Sequence, residues 1–289
     1  MKLHVTILIL IFNILFLRGE DKIFFLKNDK LKLGISLSAG GGIFYLGLVD
    51  GDNLLNCHDR GRFIQQSYYG KKDSSKWLDK KWVWNPVQSG NRLYKGAQIL
   101  EFKKSPEAIY VKSIPLHWAT GNLLKDCIME QWIILKGSIA HIRYKFTYKG
   151  KEVHPEKKQE LPAVYVDSKY HKLVYYGGNE PWTNKETDSL IPGWPNKSVK
   201  LSESWAAFID ENNFGLGVMS PIANQLTAYR YIEKNSSGSL SKDCSYMSPI
   251  AKISIQKKKP LVYDVFFTIG KIDSIRARFS ELCKNILDE

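Results

Sequence analysis

Apolar and polar residues alternate with a period of two along most of this chain, and that alternation limits the folds open to it more than any other feature. It is clearest in residues 138–148, where one face of an extended strand would carry four large side chains: Ile142, Tyr144, Phe146 and Tyr148. The other face would carry three polar ones: His141, Arg143 and Lys145. Because successive side chains of a strand point to opposite faces of its sheet, this pattern predicts a strand with one buried face.

Short segments of the same kind recur from about residue 23 to residue 267, and turn-forming residues such as those at 50–53 and 236–239 separate them. We predict strands in six further segments: 108–113, 130–135, 205–209, 216–219, 253–256 and 261–269. Many short strands without a regular alternation of strand and helix favour an antiparallel sandwich or barrel. The sequence therefore predicts an all-β fold.

The end of the chain has a different pattern. Residues 273–288 repeat apolar positions at helical spacing: Ile275, Phe279, Leu282, Ile286 and Leu287. Asp273 and Ser274 are residue types that cap the start of a helix, so a C-terminal helix is predicted to pack across the sheets. No Pro- or Gly-rich linker divides the strand region, and residues 20–289 are therefore predicted to form a single β-sandwich domain.

The N-terminus has the layout of an export signal. Lys2 and His4 precede an apolar run over residues 5–17, and Arg18 begins its polar exit. The run is shorter than the roughly 20 residues of a membrane-spanning helix. We predict a signal peptide over residues 1–19, a secreted or periplasmic/extracellular protein, and no stable membrane span after cleavage. An uncleaved anchor, or a buried N-terminal strand or helix, is the alternative.

The balance of charged residues suggests a class of partner. The chain has 42 Lys and Arg against 29 Asp and Glu, a formal net charge of +13. Outside a cell this balance favours an anionic carbohydrate such as an acidic polysaccharide, whereas nucleic acid is not expected there. The alternative is that the lysines only keep the protein soluble. A hydrophobic fraction of 44% is enough for a sizeable core and excludes a disordered chain.

Cysteine and histidine form no recognisable metal or redox motif. The four cysteines, at positions 57, 127, 244 and 283, lack the spacing of a zinc site or a CxxC pair. In an oxidising compartment they fit either disulfides or buried free thiols, and one disulfide is expected. Four histidines are scattered without the spacing of metal ligands: His117, His141, His154 and His171. No metal site and no cofactor is therefore expected.

The densest group of polar and aromatic residues covers 58–69 and continues at 82–88. Sugar recognition needs this mixture, because planar amide, guanidinium and carboxylate groups match pairs of hydroxyls while aromatic rings stack on the C–H face of a pyranose. A strand over 62–68 would place Arg62, Gln66 and Tyr68 on one face, as at a strand end beside a cleft. A hydrogen-bonded corner with ordinary aromatic packing is the alternative.

Three motifs carry a resemblance to a known group of folds: Gly61–Tyr69 (GRFIQQSYY), Trp84–Gln88 (WNPVQ) and Gln159–Tyr165 (QELPAVY). Together with the strand pattern over roughly residues 30–270, they resemble secreted glycan-associated proteins with a galactose-mutarotase-like β-supersandwich. The resemblance implies two large antiparallel sheets with a concave face that binds carbohydrate. It implies a substrate class more than a reaction, since epimerases, hydrolase or lyase domains and non-catalytic units share this fold.

Each reaction of that fold suggests its own catalytic residues here. An epimerase would pair His58 as acid with Glu160 as base. Glycoside hydrolysis needs a carboxylate on each side of the bond, for which Asp59 and Glu160 are the candidates, with Glu180 or Glu203 as substitutes. A lyase acting on a uronic acid needs a base and a group that neutralises the substrate carboxylate, such as Tyr68 and Arg62. The candidate catalytic residues are His58, Asp59, Tyr68 and Glu160.

Other polar and aromatic residues are predicted to bind substrate: Arg60, Arg62, Gln65, Gln66, Tyr69, Trp82, Trp84, Asn85, Gln88 and Trp182. The expected function is a secreted carbohydrate-active protein, a glycoside hydrolase or polysaccharide lyase working in a concave cleft. A non-catalytic glycan-binding or cell-envelope protein is the alternative. An enzyme would bring two or more titratable side chains together in the cleft, and a binding module need not.

Overall fold

A computed structural model describes residues 22–91, 95–257 and 259–287. The signal peptide predicted for residues 1–19 lies outside these ranges. Over the residues that are described, no helix has both the length and the apolar character needed to cross a membrane.

The described residues form twenty-one β-strands and one α-helix. The first strands are β1 (Ile23–Lys27), β2 (Leu31–Ser36), β3 (Gly42–Leu48), β4 (Lys72–Trp77), β5 (Lys80–Val83), β6 (Pro86–Val87), β7 (Gln98–Lys104), β8 (Ala108–Ile114), β9 (Leu116–His117), β10 (Cys127–Lys136) and β11 (Ile139–Tyr148). The remaining elements are β12 (His154–Glu160), β13 (Val164–Asp167), β14 (Lys172–Tyr175), β15 (Asp188–Leu190), β16 (Lys197–Lys200), β17 (Trp205–Ile209), β18 (Phe214–Met219), β19 (Gln225–Tyr231), β20 (Cys244–Ile255), β21 (Leu261–Lys271) and α1 (Ile272–Leu287).

The strands form two large sheets and several small ones. A nine-stranded sheet has the order β15-β14-β17-β18-β21-β11-β10-β8-β7, and a five-stranded sheet has the order β12-β20-β19-β16 with β13 also paired to β20. A three-stranded sheet, β1-β2-β3, and the pairs β4-β5 and β6-β9 complete the set. Every pairing among these strands is antiparallel. The predicted all-β antiparallel sandwich with a C-terminal helix is confirmed.

The hairpin β10–β11 shows how the alternating sequence builds these sheets. Alternate residues of β11 are buried, so the face predicted from the sequence is the one that packs inward: Ala140, Ile142, Tyr144, Phe146 and Tyr148. The two strands pair in continuous register from Cys127↔Tyr148 to Lys136↔Ile139. Gly137 in the tight turn has φ +52°, a conformation that glycine adopts without strain.

The main hydrophobic core joins side chains from all three larger sheets. Phe146 and Phe208 come from the nine-stranded sheet, Leu226 and Met247 from the five-stranded sheet, and Leu33 from the three-stranded sheet. Each is at most 1% exposed. Burial of one such side chain stabilises the folded state by about 1.5–3 kcal/mol, so this shared cluster holds the sheets face to face.

Helix α1 covers the other face of the nine-stranded sheet. Its residues Ile275 and Phe279 pack on Trp205 and Ala207 of β17 in a second, smaller cluster. Gly217 of β18 permits this contact, since a Cβ there would lie only 2.5 Å from Cγ2 of Ile275. The helix predicted at 273–288 is thus present with nearly the same bounds.

A buried ion pair fastens α1 to the sheet. Arg276 donates through Nη2 to Oε1 of Glu203 at 2.7 Å and through Nε to Oε2 at 3.0 Å. The same carboxylate accepts from the indole of Trp205 and from the backbone N–H of Trp182, each at 2.7 Å. Because the Glu203 side chain is fully buried, these four donors replace the water that it loses.

The strand predicted over 62–68 is not formed. Residues Arg60–Arg62 instead form a 3₁₀ turn, and the side chain of Asp59 caps it by accepting from the N–H of Gly61 at 2.8 Å. Downstream of the turn, Ile64 and Ser67 make only isolated β-bridges. The local hydrogen bond of an Asp side chain competes with a sheet ladder, and here it holds the chain in a corner.

Two other expectations are corrected in detail. Residues 70–94 and 177–200 look irregular in the sequence, but they contain short strands, β4 to β6 in the first segment and β15 with β16 in the second. All four cysteines are free thiols, and Cys127 and Cys244 are buried. The expectation of one disulfide is therefore wrong, and the free-thiol alternative describes this structure.

Candidate functional site

A pocket of about 310 Å³ opens on the face of the five-stranded sheet that points away from the main core. Isolated bridges from Ser67 to Glu160 and to Val87 extend this sheet from β12 towards β6 and β9. The pocket is lined by four tyrosines (Tyr69, Tyr165, Tyr229 and Tyr246), four tryptophans (Trp77, Trp82, Trp118 and Trp194) and several smaller or polar residues, including Gly61, Gln65, Ser67, Asn85, Glu160 and Asn196.

A ladder of three tyrosines forms the floor of the pocket. Tyr165 on β13, Tyr246 on β20 and Tyr229 on β19 are direct cross-strand partners. Their neighbours in sequence, such as Val164 and Met247, point into the main core, so strand alternation sends the tyrosines to the opposite face. The ring centroids of Tyr229 and Tyr246 are 4.6 Å apart, and those of Tyr165 and Tyr246 are 4.8 Å apart.

Glu160, the last residue of β12, places its carboxylate beside this ladder. Its Oε2 accepts from the hydroxyl of Tyr69 at 3.0 Å, and its Oε1 accepts from the hydroxyl of Tyr246. The amide of Gln159 fixes Tyr69 for this contact by bonding its backbone N–H at 2.8 Å and its carbonyl at 2.9 Å.

The electrostatics of Glu160 follow from this environment. Burial is the largest influence and raises the pKa of Glu160 above its ordinary value of 4.5, while the hydroxyls of Tyr246 and Tyr69 counteract the rise only in part. No basic side chain of the described residues makes an ion pair with this carboxylate. A carboxylate with a raised pKa inside a pocket is typical of groups that bind or transfer protons.

Three tryptophans form one wall of the pocket. Trp77 and Trp82 lie on the hairpin β4–β5 with ring centroids 5.0 Å apart, and Trp118, just after β9, is 5.9 Å from Trp77. The indole N–H of Trp82 donates to the side-chain oxygen of Asn85 at 3.2 Å. A Cβ at Gly61 would lie 2.7 Å from the ring of Trp118, so glycine allows the indole to approach this corner of the backbone.

Trp194 lies at the opposite side of the pocket. It meets Tyr229 edge-on at 5.0 Å, and Tyr229 belongs to β19, far from β9 in the strand order of the extended sheet. With 69% of its surface exposed, Trp194 offers a large aromatic face at the rim. Nearby Asn196 is held by a hydrogen bond of 3.1 Å to the hydroxyl of Thr227.

The structure brings five of the residues predicted for the site to the pocket lining: Gln65, Tyr69, Trp82, Asn85 and Glu160. Two of their amides are also used to hold the framework. Gln65 donates to the carbonyls of Arg60 and Gly61 and accepts from the N–H of Ser89. Asn85 donates to the carbonyl of Tyr68 at 2.8 Å.

Four further candidates lie beneath the pocket as buried structural groups: Gln66, Tyr68, Trp84 and Gln88. Gln66 accepts from the hydroxyl of Tyr68 and donates to the carbonyl of Glu130, while Gln88 donates to the carbonyl of Gly40. Trp84 stacks on His154 with 3.9 Å between ring centroids. These side chains order the loop that carries Tyr69.

The remaining candidates hold loops together outside the lining. The ring Nδ1 of His58 is 2.9 Å from the carbonyl of Leu240, and Arg60 donates to the carbonyl of Ser38 at 2.9 Å. Arg62 donates to Asn56 at 2.8 Å and to the carbonyl of Lys242 at 2.9 Å. Asp59 caps the 3₁₀ turn, and Trp182 lies near α1 on the far side of the molecule. The structure thus does not bring His58 or Asp59 together with Glu160.

Six aromatic lining residues were not among the predicted site residues: Trp77, Trp118, Tyr165, Trp194, Tyr229 and Tyr246. Tyr165, Tyr229 and Tyr246 each sit next to a core residue in an alternating strand, which was the available signal. Their proximity depends on strand pairing, which a single sequence does not reveal. Within the described ranges, no three His, Cys, Asp or Glu side chains come close enough to hold a metal ion.

A larger depression, of about 660 Å³, lies beside Tyr175, Lys185 and Lys200 at the edge of the nine-stranded sheet. It is wide open to solvent, and its charged side chains are exposed rather than aimed at one point. The pocket around Glu160 has the enclosed aromatic lining and convergent polar groups that ligand sites share.

No protein-family model matches this chain, and a search of curated proteins finds no match. Solved structures do match it. A galactose mutarotase-like protein from Lactobacillus casei has a TM-score of 0.54 and 12% identity over 86% of this chain and 99% of that one. A protein from Synechocystis has a TM-score of 0.56 and 13% identity over 90% of this chain and 100% of that one. A 4-alpha-glucanotransferase from Thermococcus litoralis has a TM-score of 0.50 and 14% identity over 87% of this chain and 38% of that one.

These likenesses confirm the galactose-mutarotase-like fold that the sequence motifs suggested. At such low identity they show the fold alone, and the fold is one used by carbohydrate-related proteins.

Proposed function

We propose that this protein binds carbohydrate, with one sugar unit seated over the tyrosine ladder and between the tryptophans. The observation that carries the proposal is the lining itself, eight aromatic side chains around a single carboxylate in about 310 Å³. Aromatic faces stack on the C–H face of a sugar ring, and a carboxylate accepts hydrogen bonds from its hydroxyls. The volume lies within the about 300–1,000 Å³ usual for small-ligand pockets.

A hydrolase or lyase is the second candidate function. Its support is the half-buried carboxylate of Glu160, whose raised pKa and tyrosine hydrogen bonds suit a proton-transfer group. Hydrolysis by the usual route would need a second carboxylate, and Glu160 is the one carboxylate among the described lining residues. Binding requires no such partner and therefore stands first.

The net charge of +13 favours an acidic polysaccharide, but we expect such a ligand to bind poorly in this pocket. The described lining contains no lysine or arginine that could pair with a uronate. We further propose that binding takes place outside the cytoplasm, on the strength of the export pattern at residues 1–19.

Calorimetry with neutral, uronic and amino oligosaccharides tests the binding function. We expect Trp82→Ala to weaken binding by about tenfold, since an aromatic contact of this kind contributes about 1.4 kcal/mol. Trp132→Ala is the matched control, because Trp132 packs on Tyr110 of the nine-stranded sheet, outside the pocket. If the wild-type protein bound none of these sugars, or Trp82→Ala retained full affinity, the proposal would be wrong.

The same mixtures distinguish binding from catalysis. Release of reducing ends would identify a hydrolase, and absorbance from unsaturated uronides would identify a lyase. Loss of either product in Glu160→Gln would assign the reaction to this pocket. Binding without product would leave the binding function alone.

A further inference from the structure

The carboxylate of Glu160 is a half-buried acid that has no cationic partner among the described residues. Among the described residues, the hydrogen bonds to it come from two tyrosine hydroxyls, Tyr69 and Tyr246, and its pKa is raised by burial rather than lowered by a neighbouring cation. Other acids in this structure are treated differently: buried Glu203 is paired with Arg276. Buried carboxylates normally have such a partner, because an uncompensated charge in a low-dielectric site is costly.

The aromatic lining also favours positive charge. An aromatic ring has a negative face, and cations are bound where several such faces meet. Tyr165, Tyr246 and Tyr229 lie on neighbouring strands of the five-stranded sheet, beside the carboxylate of Glu160. The tryptophan wall lines the same pocket. The carboxylate and the aromatic rings therefore both attract a positively charged ligand.

We infer that the sugar bound in this pocket carries a protonated amine, which takes the place of the missing cationic partner at Glu160. This inference rests on the proposed carbohydrate-binding function and specifies its ligand class as a hexosamine with a free amino group. An ammonium group has three donors, and a carboxylate has about four acceptor sites, of which the two tyrosines occupy two. The vacant sites of Glu160 can therefore accept from the ligand.

The cations around the pocket do not fill this role. Arg62 is not among the lining residues, and its guanidinium lies over the ring of Tyr165 at 5.7 Å from the centroid. Its donors are directed to Asn56 and to the carbonyl of Lys242, and its charged neighbour is Asp59. Arg62 thus supports the loop behind the ladder, whereas the carboxylate faces the pocket.

The net charge of +13 does not contradict a cationic ligand. At physiological ionic strength, charges are screened over about 8 Å, so the distant lysines have little effect within the pocket. Selectivity between charged and neutral sugars then depends on the groups that touch the ligand. A uronate would meet the Glu160 carboxylate directly and be repelled.

Oligomers of glucosamine and of N-acetylglucosamine of equal length test the inference, since acetylation removes the charge and keeps the ring. Calorimetry at pH 6, where the free amines are protonated, is expected to show at least tenfold tighter binding of the glucosamine oligomer. Glu160→Gln should abolish that preference while the N-acetylated oligomer still binds. Glu156→Gln is the matched control, because Glu156 is an exposed residue of the same strand, and it should preserve the preference.

Three results bear on the inference. Equal or tighter binding of the N-acetylated oligomer would overturn it and leave the carbohydrate-binding function intact. A preference that persists in Glu160→Gln would also overturn it. Failure of both oligomers and of all neutral sugars to bind the wild-type protein would remove the proposed function itself. Thermal unfolding of Glu160→Gln verifies that the variant is folded, and its midpoint should not fall, because the variant removes a buried charge.

Discussion

At the scale of single residues, two carboxylates illustrate opposite electrostatic designs. Glu160 is half-buried beside tyrosines, and its pKa is raised. Asp264 on β21 is also partly buried, but it accepts from His141 at 2.6 Å and from two nitrogens of Arg143, each at 2.9 Å. Burial alone would raise the pKa of Asp264, yet these hydrogen bonds outweigh it and hold the pKa at about 2. The contacts of Asp264 with His141 and Arg143 stabilise the nine-stranded sheet, whereas the carboxylate of Glu160 remains available to a ligand.

The depressed pKa of Asp264 predicts a loss of stability in acid. In the unfolded chain the carboxyl titrates at about 3.9, so its stabilising effect is complete well above that pH and is lost as pH falls through about 2. We expect Asp264→Asn to lower the free energy of unfolding by about 1–2 kcal/mol at pH 7, allowing for the partial exposure of the group. Urea unfolding at pH 7 and pH 2 measures the difference, which should be much smaller at pH 2 than at pH 7.

The exposed Asp29 is the control for this measurement. Its side chain is 73% exposed, so Asp29→Asn should change stability little at either pH. If Asp264→Asn lowered the free energy of unfolding as much at pH 2 as at pH 7, the electrostatic explanation would be wrong.

Residue type alone predicts only part of the site. Glu160, Tyr69 and Trp82 could be chosen from their types and motifs, and they line the pocket. Asp59 and His58 are of equally suitable types, but a backbone N–H and a carbonyl close to them in the fold satisfy them instead. Whether a polar side chain is taken up by a local hydrogen bond depends on three-dimensional contacts, and residue type does not encode these.

At the scale of elements, helix α1 depends on one buried ion pair. Removing Arg276 would leave the Glu203 carboxylate buried without its cation, so we expect Arg276→Ala to lower the free energy of unfolding by about 3 kcal/mol. Denaturant unfolding of the variant measures this loss. Lys284→Ala, at an exposed position of the same helix, is the control and should change stability by less than about 0.5 kcal/mol. If the two substitutions lowered the free energy of unfolding equally, the ion pair would not be needed for the stability of the fold.

Elements with strong alternation were predictable, and polar ones were not. The strands β8, β11 and β17 coincide closely with segments chosen from the sequence, because β8 and β11 bury every second residue and β17 is apolar throughout. The hairpin of β4 (KDSSKW) and β5 (KKWV) has no apolar face, and its residues are exposed or half-buried. Its two tryptophans face the pocket rather than the core, so the usual hydrophobic signal is absent.

At the scale of the whole molecule, the shared core predicts that the two large sheets unfold together. Phe208 of the nine-stranded sheet and Met247 of the five-stranded sheet are both fully buried in the same cluster. We expect Phe208→Ala and Met247→Ala each to cost about 2–5 kcal/mol and to move one common transition. Circular dichroism in the far and near ultraviolet should give coincident curves. Two transitions, each moved by only one of the variants, would show that the chain contains two independent units.

The distribution of tryptophan through the molecule has an optical consequence. Four of the eight tryptophans line the pocket, whereas Trp84 and Trp205 are 7% and 0% exposed in packed interiors. Indole fluorescence depends on contact with water, so a ligand that displaces solvent from the rim would shift the emission of the pocket tryptophans and leave that of the buried ones unchanged. Trp194, at 69% exposure, has the most solvent to lose. The unlabelled protein therefore contains its own reporter of occupancy, and its emission spectrum can be used to screen candidate ligands at micromolar concentrations.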